Sequence, residues 1–397
     1  MRESIDLWPE KGRSIWEIRD TSFELEIKWQ KKPYDDYKRL ALNYYDCGYA
    51  LFVDIINSDH DNVKTDMWFL SAIYLMRQSL ELGLKALHCR VQTRNPDIQK
   101  VFLDCGHNLA LLFNEYLSKG ENYLHPDEEK WLIEYFNSIE LVDEKSDLFR
   151  FPFDDHFLSQ YRDKFLDNVA VANNLLQAFA LVKKCLNCGN VVPGDEFNSL
   201  FEPKFLILGD HGLGNCYLWK SFSDEGFYPM VTGYVDSADY LFYECNTISL
   251  PEKVYPIIFL LRNALELCLK RLFYAQVNKC VPKHVFNSKR KSHLLKKDLW
   301  THVKPVIVYY SKSSSSDLEL IDVVEKSLSE IDKLDKNGDN FRYPTSYSLE
   351  YRINNKNVDV KNMFECMHAL VNFLDACDYM LEDVSDFEAE MYSYYSY

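Results

Sequence analysis

Apolar residues recur along the chain with the spacing of amphipathic helices, and the same order of helices occurs twice. Apolar positions three and four residues apart fall on one face of a helix, so such runs predict helices. In the first half these runs lie near 35–57, 67–92, 107–141 and 160–186. In the second half they lie near 228–246, 253–278, 293–335 and 357–383. The third run of each half is expected to form two helices, because polar breakers interrupt it near 119–120 and 311–316.

Short stretches that alternate between apolar and polar residues precede the helices of each half. Alternation with period two is typical of strands with one buried face. The paired stretches are 15–19 with 23–29, and 205–208 with 216–219. The pattern therefore predicts a mainly α protein made of two repeated helical bundles. Each bundle is expected to have about four to five helices and to follow a short β-hairpin.

The two halves repeat their charged residues as well as their apolar pattern. A long apolar helix carries the series Arg77, Glu81, Lys85 in the first half and Arg262, Glu266, Lys270 in the second. Two further blocks recur in the same order, each matched pair separated by 185 to 192 residues. They are Gly106-His107-Asn108-Leu109 with Ser292-His293-Leu294-Leu295, and Arg150-Phe151-Pro152 with Arg342-Tyr343-Pro344. We therefore predict two domains, 1–190 and 191–397, joined by a polar linker near 187–203.

The Arg-Glu-Lys series has two interpretations. Residues four apart lie on one side of a helix, so the three side chains form one stripe. On a solvated face they would be ordinary ion pairs, each contributing about 0.2–0.5 kcal/mol. The remainder of each helix is almost wholly apolar, which favours a cleft or a polar seam between helices instead. In that case Arg77, Glu81 and Lys85, and likewise Arg262, Glu266 and Lys270, are candidate ligand-binding residues.

The recurring histidines and arginines are also open to two interpretations. His107 and His293 each precede a predicted helix, where a histidine is either a cap or buried hydrogen-bonding group, or an acid–base catalyst. Arg150 and Arg342 precede an aromatic residue and a proline, which favour an extended turn. They form either salt bridges, for example with Glu81 and Glu266, or a pocket for a nucleotide phosphate or an RNA backbone.

Composition narrows the classes of function. The chain has 397 residues, of which 47% are hydrophobic, and a net charge of −16. An acidic surface argues against broad, sequence-independent nucleic-acid binding, which needs many Lys and Arg on phosphates. No run of eighteen apolar residues and no signal-peptide core occur, so we expect a cytoplasmic protein without a membrane span. Cys185 and Cys188 have the spacing of half a zinc site, but no second pair follows, so we expect neither metal nor cofactor.

The order of these motifs resembles the HEPN superfamily of small helical bundles, common in prokaryotic toxin and anti-phage defence systems. The residues that resemble one copy of the domain are Glu81/Lys85, Gly106-His107-Asn108-Leu109 and Arg150-Phe151-Pro152. Those that resemble a second copy are Glu266/Lys270, Ser292-His293-Leu294-Leu295 and Arg342-Tyr343-Pro344. The resemblance covers roughly 35–186 and 228–383. Active members are metal-independent ribonucleases, in which Arg stabilises the charge on phosphate and His acts as acid and base. The resemblance therefore implies RNA or nucleotide as a ligand.

In active members of the superfamily a polar residue directly follows the Arg, and four to six residues separate the Arg from a His. Here the single match in spacing is Arg150 with His156. Three features depart from the motif. Phe151 replaces the polar residue, and Pro152 interrupts the helix that should carry both Arg150 and His156. The second copy has Ser348 at the position that corresponds to His156. Two hypotheses remain. In the first, the chain is a ribonuclease that acts through Arg150 and His156, or through an atypical set drawn from His107, His293, Arg77 and Arg262. In the second, it is non-catalytic: it binds a nucleotide, an RNA end or a partner protein through the Arg-Glu-Lys pocket, or acts as a helical scaffold or homo-oligomer.

Overall fold

The computed structural model describes residues 7–395, except 93, 121, 213, 219–225, 278–280, 290–291, 312–317 and 354. Helices dominate it, which confirms the predicted mainly α class. The first part of the chain contains α1 (Pro33–Ile56), α2 (Phe69–Val91), α3 (Asn95–Cys105), α4 (Leu109–Leu117), α5 (Pro126–Asp143), α6 (Asp155–Tyr161) and α7 (Asn168–Leu186). It continues with α8 (Phe227–Asp239), α9 (Leu250–Ala275), α10 (Lys283–Lys289), α11 (Thr301–Ser311), α12 (Glu319–Leu334) and α13 (Val360–Tyr395).

The long helices agree with the apolar periodicity. The run predicted near 107–141 forms two helices, α4 and α5, as expected. Three short helices, α3, α6 and α10, were not predicted, because a helix of two or three turns shows too few apolar repeats. The serine run at 311–316 lies almost entirely outside the described residues, so only Ser311, the last residue of α11, can be placed.

Both predicted hairpins are wrong. In the first, the strand β1 (Glu24–Ile27) pairs with β5 (Lys356–Asp359), far along the chain. In the second, β3 (Leu208–Gly209) and β4 (Cys216–Leu218) lie on opposite sides of β2 (Lys164–Leu166) and pair antiparallel with it. Residues 15–19, the other predicted strand of the first hairpin, form no strand. Period-two alternation is typical of a half-buried strand, but it neither guarantees a strand nor specifies its partner. Trp219, the end of the predicted second hairpin, lies outside the described residues.

The chain divides into two compact units, and neither is one continuous stretch. The larger unit consists of Ile27–Leu260 and Asn340–Asn355. The smaller unit consists of Met1–Glu26, Leu261–Asp339 and Lys356–Tyr397. The predicted division at residue 190 falls inside the larger unit. We call residues 340–355 the strap, because they belong to the larger unit although the chain on both sides of them belongs to the smaller one.

Helix α2 is the centre of the larger unit. All of its residues from Phe69 to His88 are buried, because α1, α7, α4, α3 and α8 pack around it. Glycines allow the closest approaches. A Cβ at Gly48 of α1 would lie 2.8 Å from Met76, and one at Gly83 of α2 would lie 2.8 Å from Val182 of α7. Both distances are shorter than real Cβ contacts, so the glycines set the spacing between these helices.

In the smaller unit the first half of α13 is the central buried helix. Its buried residues include Met363, Phe364, Met367, Leu370 and Leu374. Asn362 holds the chain near residues 14–17 against this helix, since its side-chain amide donates to the carbonyl oxygens of Ser14 and Glu17 at 2.8 and 2.9 Å. The smaller unit therefore joins residues that are more than 340 positions apart in sequence.

Helix α7 is the one described helix that is long and apolar enough to cross a membrane. Its mean hydropathy is 1.2, and 61% of the apolar window is buried. Phe179 and Val182 of α7 lie against Gly83 of α2. The helix therefore has the burial expected of a core helix.

Candidate functional site

The charged stripe on α2 lies inside the protein. Arg77 and Glu81 are fully buried, and Lys85 is 1% exposed. Burial of an isolated charge is strongly unfavourable, so buried charges are found paired and hydrogen-bonded. Helical spacing makes the pairing local, because side chains four residues apart are neighbours. The interpretation as a solvated face is therefore wrong, and the stripe is a polar seam within the core.

One carboxylate joins the four residues that we call the first cluster: Arg77, Glu81, Lys85 and His107. Glu81 Oε2 accepts from Arg77 Nη1 at 2.5 Å. Glu81 Oε1 accepts from Lys85 Nζ at 2.7 Å and lies 2.9 Å from His107 Nδ1. Arg77 also donates from Nη2 to the backbone oxygen of His107 at 2.7 Å. The predicted residues Arg77, Glu81, Lys85 and His107 thus form a single hydrogen-bonded network.

A second carboxylate completes the pairing of Arg77. Asp143, at the end of α5, accepts from Arg77 Nε at 3.1 Å through Oδ2. Its other oxygen, Oδ1, accepts from the backbone N–H groups of Asp147 and Leu148. The guanidinium beside Glu81 is therefore Arg77 of the same helix, and not Arg150, which we had considered as its partner.

The strap adds aromatic groups and a further arginine to the first cluster. The hydroxyl of Tyr343 lies 3.1 Å from His107 Nδ1, and that of Tyr347 lies 3.4 Å from His107 Nε2. Lys85 Nζ lies 4.6 Å from the centre of the Tyr343 ring, within the range of cation–π attraction. Arg342, which is 3% exposed, donates to the Tyr343 hydroxyl at 3.1 Å. Arg342 therefore lies beside the first cluster, although its sequence motif belongs to the second half.

The second cluster, in the smaller unit, repeats the same bonds. Glu266 Oε2 accepts from Arg262 Nη1 at 3.2 Å, and Glu266 Oε1 accepts from Lys270 Nζ at 2.8 Å. His293 Nδ1 lies 2.7 Å from the same Oε1, and Arg262 Nη2 donates to the backbone oxygen of His293 at 2.7 Å. The structure thus brings together Arg262, Glu266, Lys270 and His293 in the same atomic pattern as the first cluster.

Two capping carboxylates complete the correspondence between the clusters. Glu140 accepts from the backbone N–H of Leu109 at 2.7 Å, at the start of α4. Asp332 accepts from the backbone N–H groups of Leu295 and Lys296 at 3.1 and 2.9 Å. Each acid therefore caps the helical segment that follows the histidine. No shared motif marks Glu140 and Asp332 in the sequence, because one is Glu and the other Asp. The one signal is that they lie 192 residues apart, as Arg150 and Arg342 do.

Electrostatics keep both central glutamates ionised. Burial alone would raise their pKa, but nearby cations outweigh it. Lys85, His107 and Arg77 hold the pKa of Glu81 well below its ordinary value, and Lys270, His293 and Arg262 do the same for Glu266. Burial lowers the pKa of Lys85, with Glu81 opposing the change. The basic groups of both clusters are therefore committed to an internal carboxylate.

Histidine is the solvent-facing member of each cluster. The side chain of His107 is 30% exposed and that of His293 is 41% exposed, whereas the glutamates beneath them are buried. A buried carboxylate on Nδ1 fixes the orientation of an imidazole and leaves Nε2 as its outer nitrogen. Each Glu–His pair therefore has the chemistry of an acid–base dyad.

Arg150 and His156 lie in contrasting environments. Arg150 is 6% exposed, and its guanidinium lies 5.0 and 5.9 Å from the ring centres of Phe151 and Phe259. His156 is exposed on α6, which begins after Pro152. It lines a cavity of about 170 Å³ together with Asp147 and Asp154. Carboxylates in that cavity are unfavourable for a phosphate, so the local chemistry does not support the spacing match as a nuclease motif.

Within the described ranges, no group of three or more His, Cys, Asp or Glu side chains is arranged to hold a metal ion. Cys185, at the end of α7, is buried, and Cys188 is exposed, both as free thiols. Comparison with known proteins adds no assignment: no family model, no curated protein and no solved structure matches the chain at a significant level.

Proposed function

We propose that this chain is a non-catalytic, partner-binding helical protein with two HEPN-like copies, in which the charged clusters stabilise the structure. One observation carries the proposal: Arg77 and Lys85, and likewise Arg262 and Lys270, all bind a buried glutamate of their own helix. Charges used in this way cannot also neutralise a phosphate. The clusters that resemble a nucleotide site therefore act as polar seams within the core.

Energetics support this choice over phosphate binding. Removing one partner from a buried ion pair typically costs about 3–5 kcal/mol. A phosphate that displaced Glu81 would have to replace that energy at a position that is fully buried. The net charge of −16 also opposes the approach of RNA. Binding of another protein requires neither an accessible basic cluster nor a cationic surface.

The HEPN-like resemblance provides the biological setting of the proposal. The Glu-x-x-x-Lys helix, the His-x-Leu segment and the Arg-aromatic-Pro turn occur twice in the same order. The paired bonds of the two clusters agree with a duplicated origin, because five polar contacts recur between corresponding residues. We accordingly propose a cytoplasmic component of a prokaryotic defence or toxin system.

The Glu–His dyads favour a second candidate function, that of a metal-independent ribonuclease. In this alternative, His107 or His293 accepts the proton of an RNA 2′-hydroxyl as that oxygen attacks the adjacent phosphorus. The glutamate behind the histidine stabilises the imidazolium that forms, and a protonated histidine returns the proton to the departing 5′-oxygen. The specific observation in favour is that the imidazole is the exposed member of each cluster.

An RNA cleavage assay in EDTA separates the two functions. The wild type is compared with His107→Ala/His293→Ala and with His156→Ala, each changing a side chain with solvent exposure. The proposed function predicts no cleavage by any of the three. Cleavage that is lost only in His107→Ala/His293→Ala would establish the dyad ribonuclease. Cleavage that is lost only in His156→Ala would return the activity to the Arg150/His156 motif.

A nucleotide thermal-shift screen tests the same proposal from the binding side. We expect no rise in Tm with nucleoside mono-, di- or triphosphates, because the cations of both clusters are already paired. A rise in Tm that disappears in Lys270→Met would contradict the structural role. Lys270 is the suitable position for this variant, because its side chain is 8% exposed and therefore the more accessible lysine of the two clusters.

A further inference from the structure

Helix α13 is buried in its first part and exposed to solvent in its last part. Its first part is buried in the smaller unit as far as Leu381, which is 2% exposed. Beyond Leu381, every side chain whose burial is described, up to Tyr394, is partly or fully exposed. At 1.5 Å per residue, residues 382–395 form about 20 Å of helix that lies beyond the buried part.

This exposed segment is amphipathic. Phe387, Met391 and Tyr394 are 62%, 37% and 73% exposed and are spaced i, i+4, i+7. Val384, which is partly exposed, precedes them by three residues and extends the same stripe. Such a stripe is the pattern by which one helix face binds an apolar groove. Helical residues gain most of their stability from burying a face of this kind, so exposure of four turns is costly.

The segment also carries acidic residues but no basic ones. Residues 382–395 contain five carboxylates, Glu382, Asp383, Asp386, Glu388 and Glu390. The whole sequence from 362 to 397 contains no Lys or Arg. Pairing with the same segment of a second copy would bring carboxylates together without a cation. RNA and anionic lipid are disfavoured for the same reason.

We propose that residues 382–395 of α13 dock into an apolar groove rimmed by Lys and Arg on a partner protein. The inference deepens the partner-binding function proposed above and depends on it. Phe387, Met391 and Tyr394 would fill the groove, and the flanking carboxylates would select a basic rim and accelerate association. The proposed contact uses no residue of either charged cluster, so its failure leaves the question of ribonuclease activity untouched.

A defined probe allows the test without knowledge of the natural partner. The probe is a synthetic amphipathic helix of Lys and Leu, with Leu spaced i, i+3, i+4, i+7, labelled for fluorescence anisotropy with the full chain. Its matched control is a peptide of the same composition in scrambled order, which keeps the charge but has no apolar stripe. We expect the patterned peptide to bind at least about tenfold more tightly than the scrambled one, because apolar anchors add to charge attraction.

Two variants assign the binding to the segment. Phe387→Ser/Met391→Ser should reduce binding of the patterned peptide to the scrambled level. Leu141→Ser on α5 is the control, since Leu141 is 80% exposed and lies on another helix. Both variants alter exposed side chains, so their circular dichroism and Tm should match the wild type. Equal binding of the two peptides, or unchanged binding by Phe387→Ser/Met391→Ser, would overturn the proposal.

Two further measurements test the competing partners of this segment, which are a second copy of the chain and a lipid membrane. Sedimentation of the wild type and of Phe387→Ser/Met391→Ser detects self-association through this segment. Flotation with vesicles that contain phosphatidylglycerol detects lipid binding. A dimer that the double variant dissolves, or vesicle binding that it abolishes, would replace the basic partner by a second copy or by a membrane. The proposal is supported if the protein is monomeric, does not bind the vesicles and binds the patterned peptide more tightly than the scrambled one.

Discussion

At the scale of single residues, each cluster depends on one glutamate. Glu81 binds Arg77, Lys85 and His107 at once, and Glu266 binds Arg262, Lys270 and His293. In each cluster the carboxylate lies between the arginine and the lysine of the same helix face and pairs with both. Loss of Glu81 therefore removes a carboxylate partner from both Lys85 and Arg77, although Arg77 keeps its bond to Asp143.

Glu81→Gln should lower the free energy of unfolding by about 3–5 kcal/mol at neutral pH, because an amide cannot balance the charge of the buried Lys85 and leaves Arg77 with Asp143 as its carboxylate partner. The folded pKa of Glu81 is depressed, so its contribution is present above the unfolded value of about 4.5 and is lost as pH falls further. Urea denaturation of both proteins across pH 3–7 checks this. The control is Glu115→Gln, whose surface pair with Lys119 should contribute less than about 1 kcal/mol. Equal effects of the two substitutions would contradict the assignment.

Glu140 should give the opposite pH dependence. Burial raises its pKa to about 7, so the folded protein favours the protonated acid. Its stabilising effect is complete below the unfolded value of about 4.5 and is lost as pH rises through 7. Glu140→Gln stays neutral and can still accept from Leu109. It should therefore stabilise the protein at pH 8 by on the order of 1 kcal/mol, a value reduced for partial exposure, and have little effect at pH 5. Thermal unfolding of the wild type and Glu140→Gln at pH 5 and pH 8 checks this prediction, and an equal difference in Tm at the two pH values would contradict it.

The residues of the clusters were predictable to the extent that the chain repeats. Duplication identified Arg77, Glu81, Lys85 and His107 together with their counterparts, because helical spacing places three of the four on one stripe. It could not reveal that Glu81 is fully buried, since burial depends on five helices that pack around α2. No sequence pattern indicated that Tyr347 would lie at the first cluster. It reaches His107 only because the strap folds back onto the larger unit.

At the scale of elements, the apolar periodicity predicted the long helices because 3.6-residue repeats accumulate over many turns. Strand partners were not predictable, since β1 and β5 lie about 330 residues apart in the sequence and no local pattern links them. The spacing between helices depends on still finer detail. Gly83 permits α7 to approach α2 at Val182, and no period in the sequence marks it.

Gly83→Ala should destabilise the larger unit. The new Cβ would lie 2.8 Å from Val182 Cγ1, so α2 and α7 would have to separate. Overpacking costs about 1–3 kcal/mol, and the higher helix propensity of alanine returns up to about 1 kcal/mol. We expect a net loss of about 1–2 kcal/mol in urea denaturation. Val182→Ala in the Gly83→Ala background should recover part of that loss, whereas a loss that Val182→Ala only increases would exclude the steric explanation.

At the scale of the whole molecule, the repeat in sequence and the compact units in space follow different divisions. The sequence repeats near residue 190, whereas the chain passes from one unit to the other at 26–27, 260–261, 339–340 and 355–356. A boundary drawn from the repeat assumes that each copy folds by itself. The larger unit instead includes α8, the first part of α9 and the strap, all from the second half of the chain.

Separate expression of the two halves tests this organisation. The fragment 1–190 lacks the strap, α8 and the first part of α9, so we expect it to be insoluble or to lack a cooperative thermal transition. Co-expression with 191–397 should recover a soluble complex, because the missing segments return. A monomeric 1–190 fragment that melts cooperatively by itself would show that the strap is dispensable.

The strap also governs when folding can finish during synthesis. Tyr343 and Tyr347 join the first cluster only after on the order of 260 residues beyond Glu81 have been translated. At roughly 5–20 residues per second, this is a delay of about 13–52 s on the ribosome. Throughout that interval the nascent larger unit lacks the segment that lies over Lys85 and His107. A chaperone that holds the emerging helices therefore has a defined period in which to act, and a synonymous change in translation speed between residues 82 and 347 would lengthen or shorten that period.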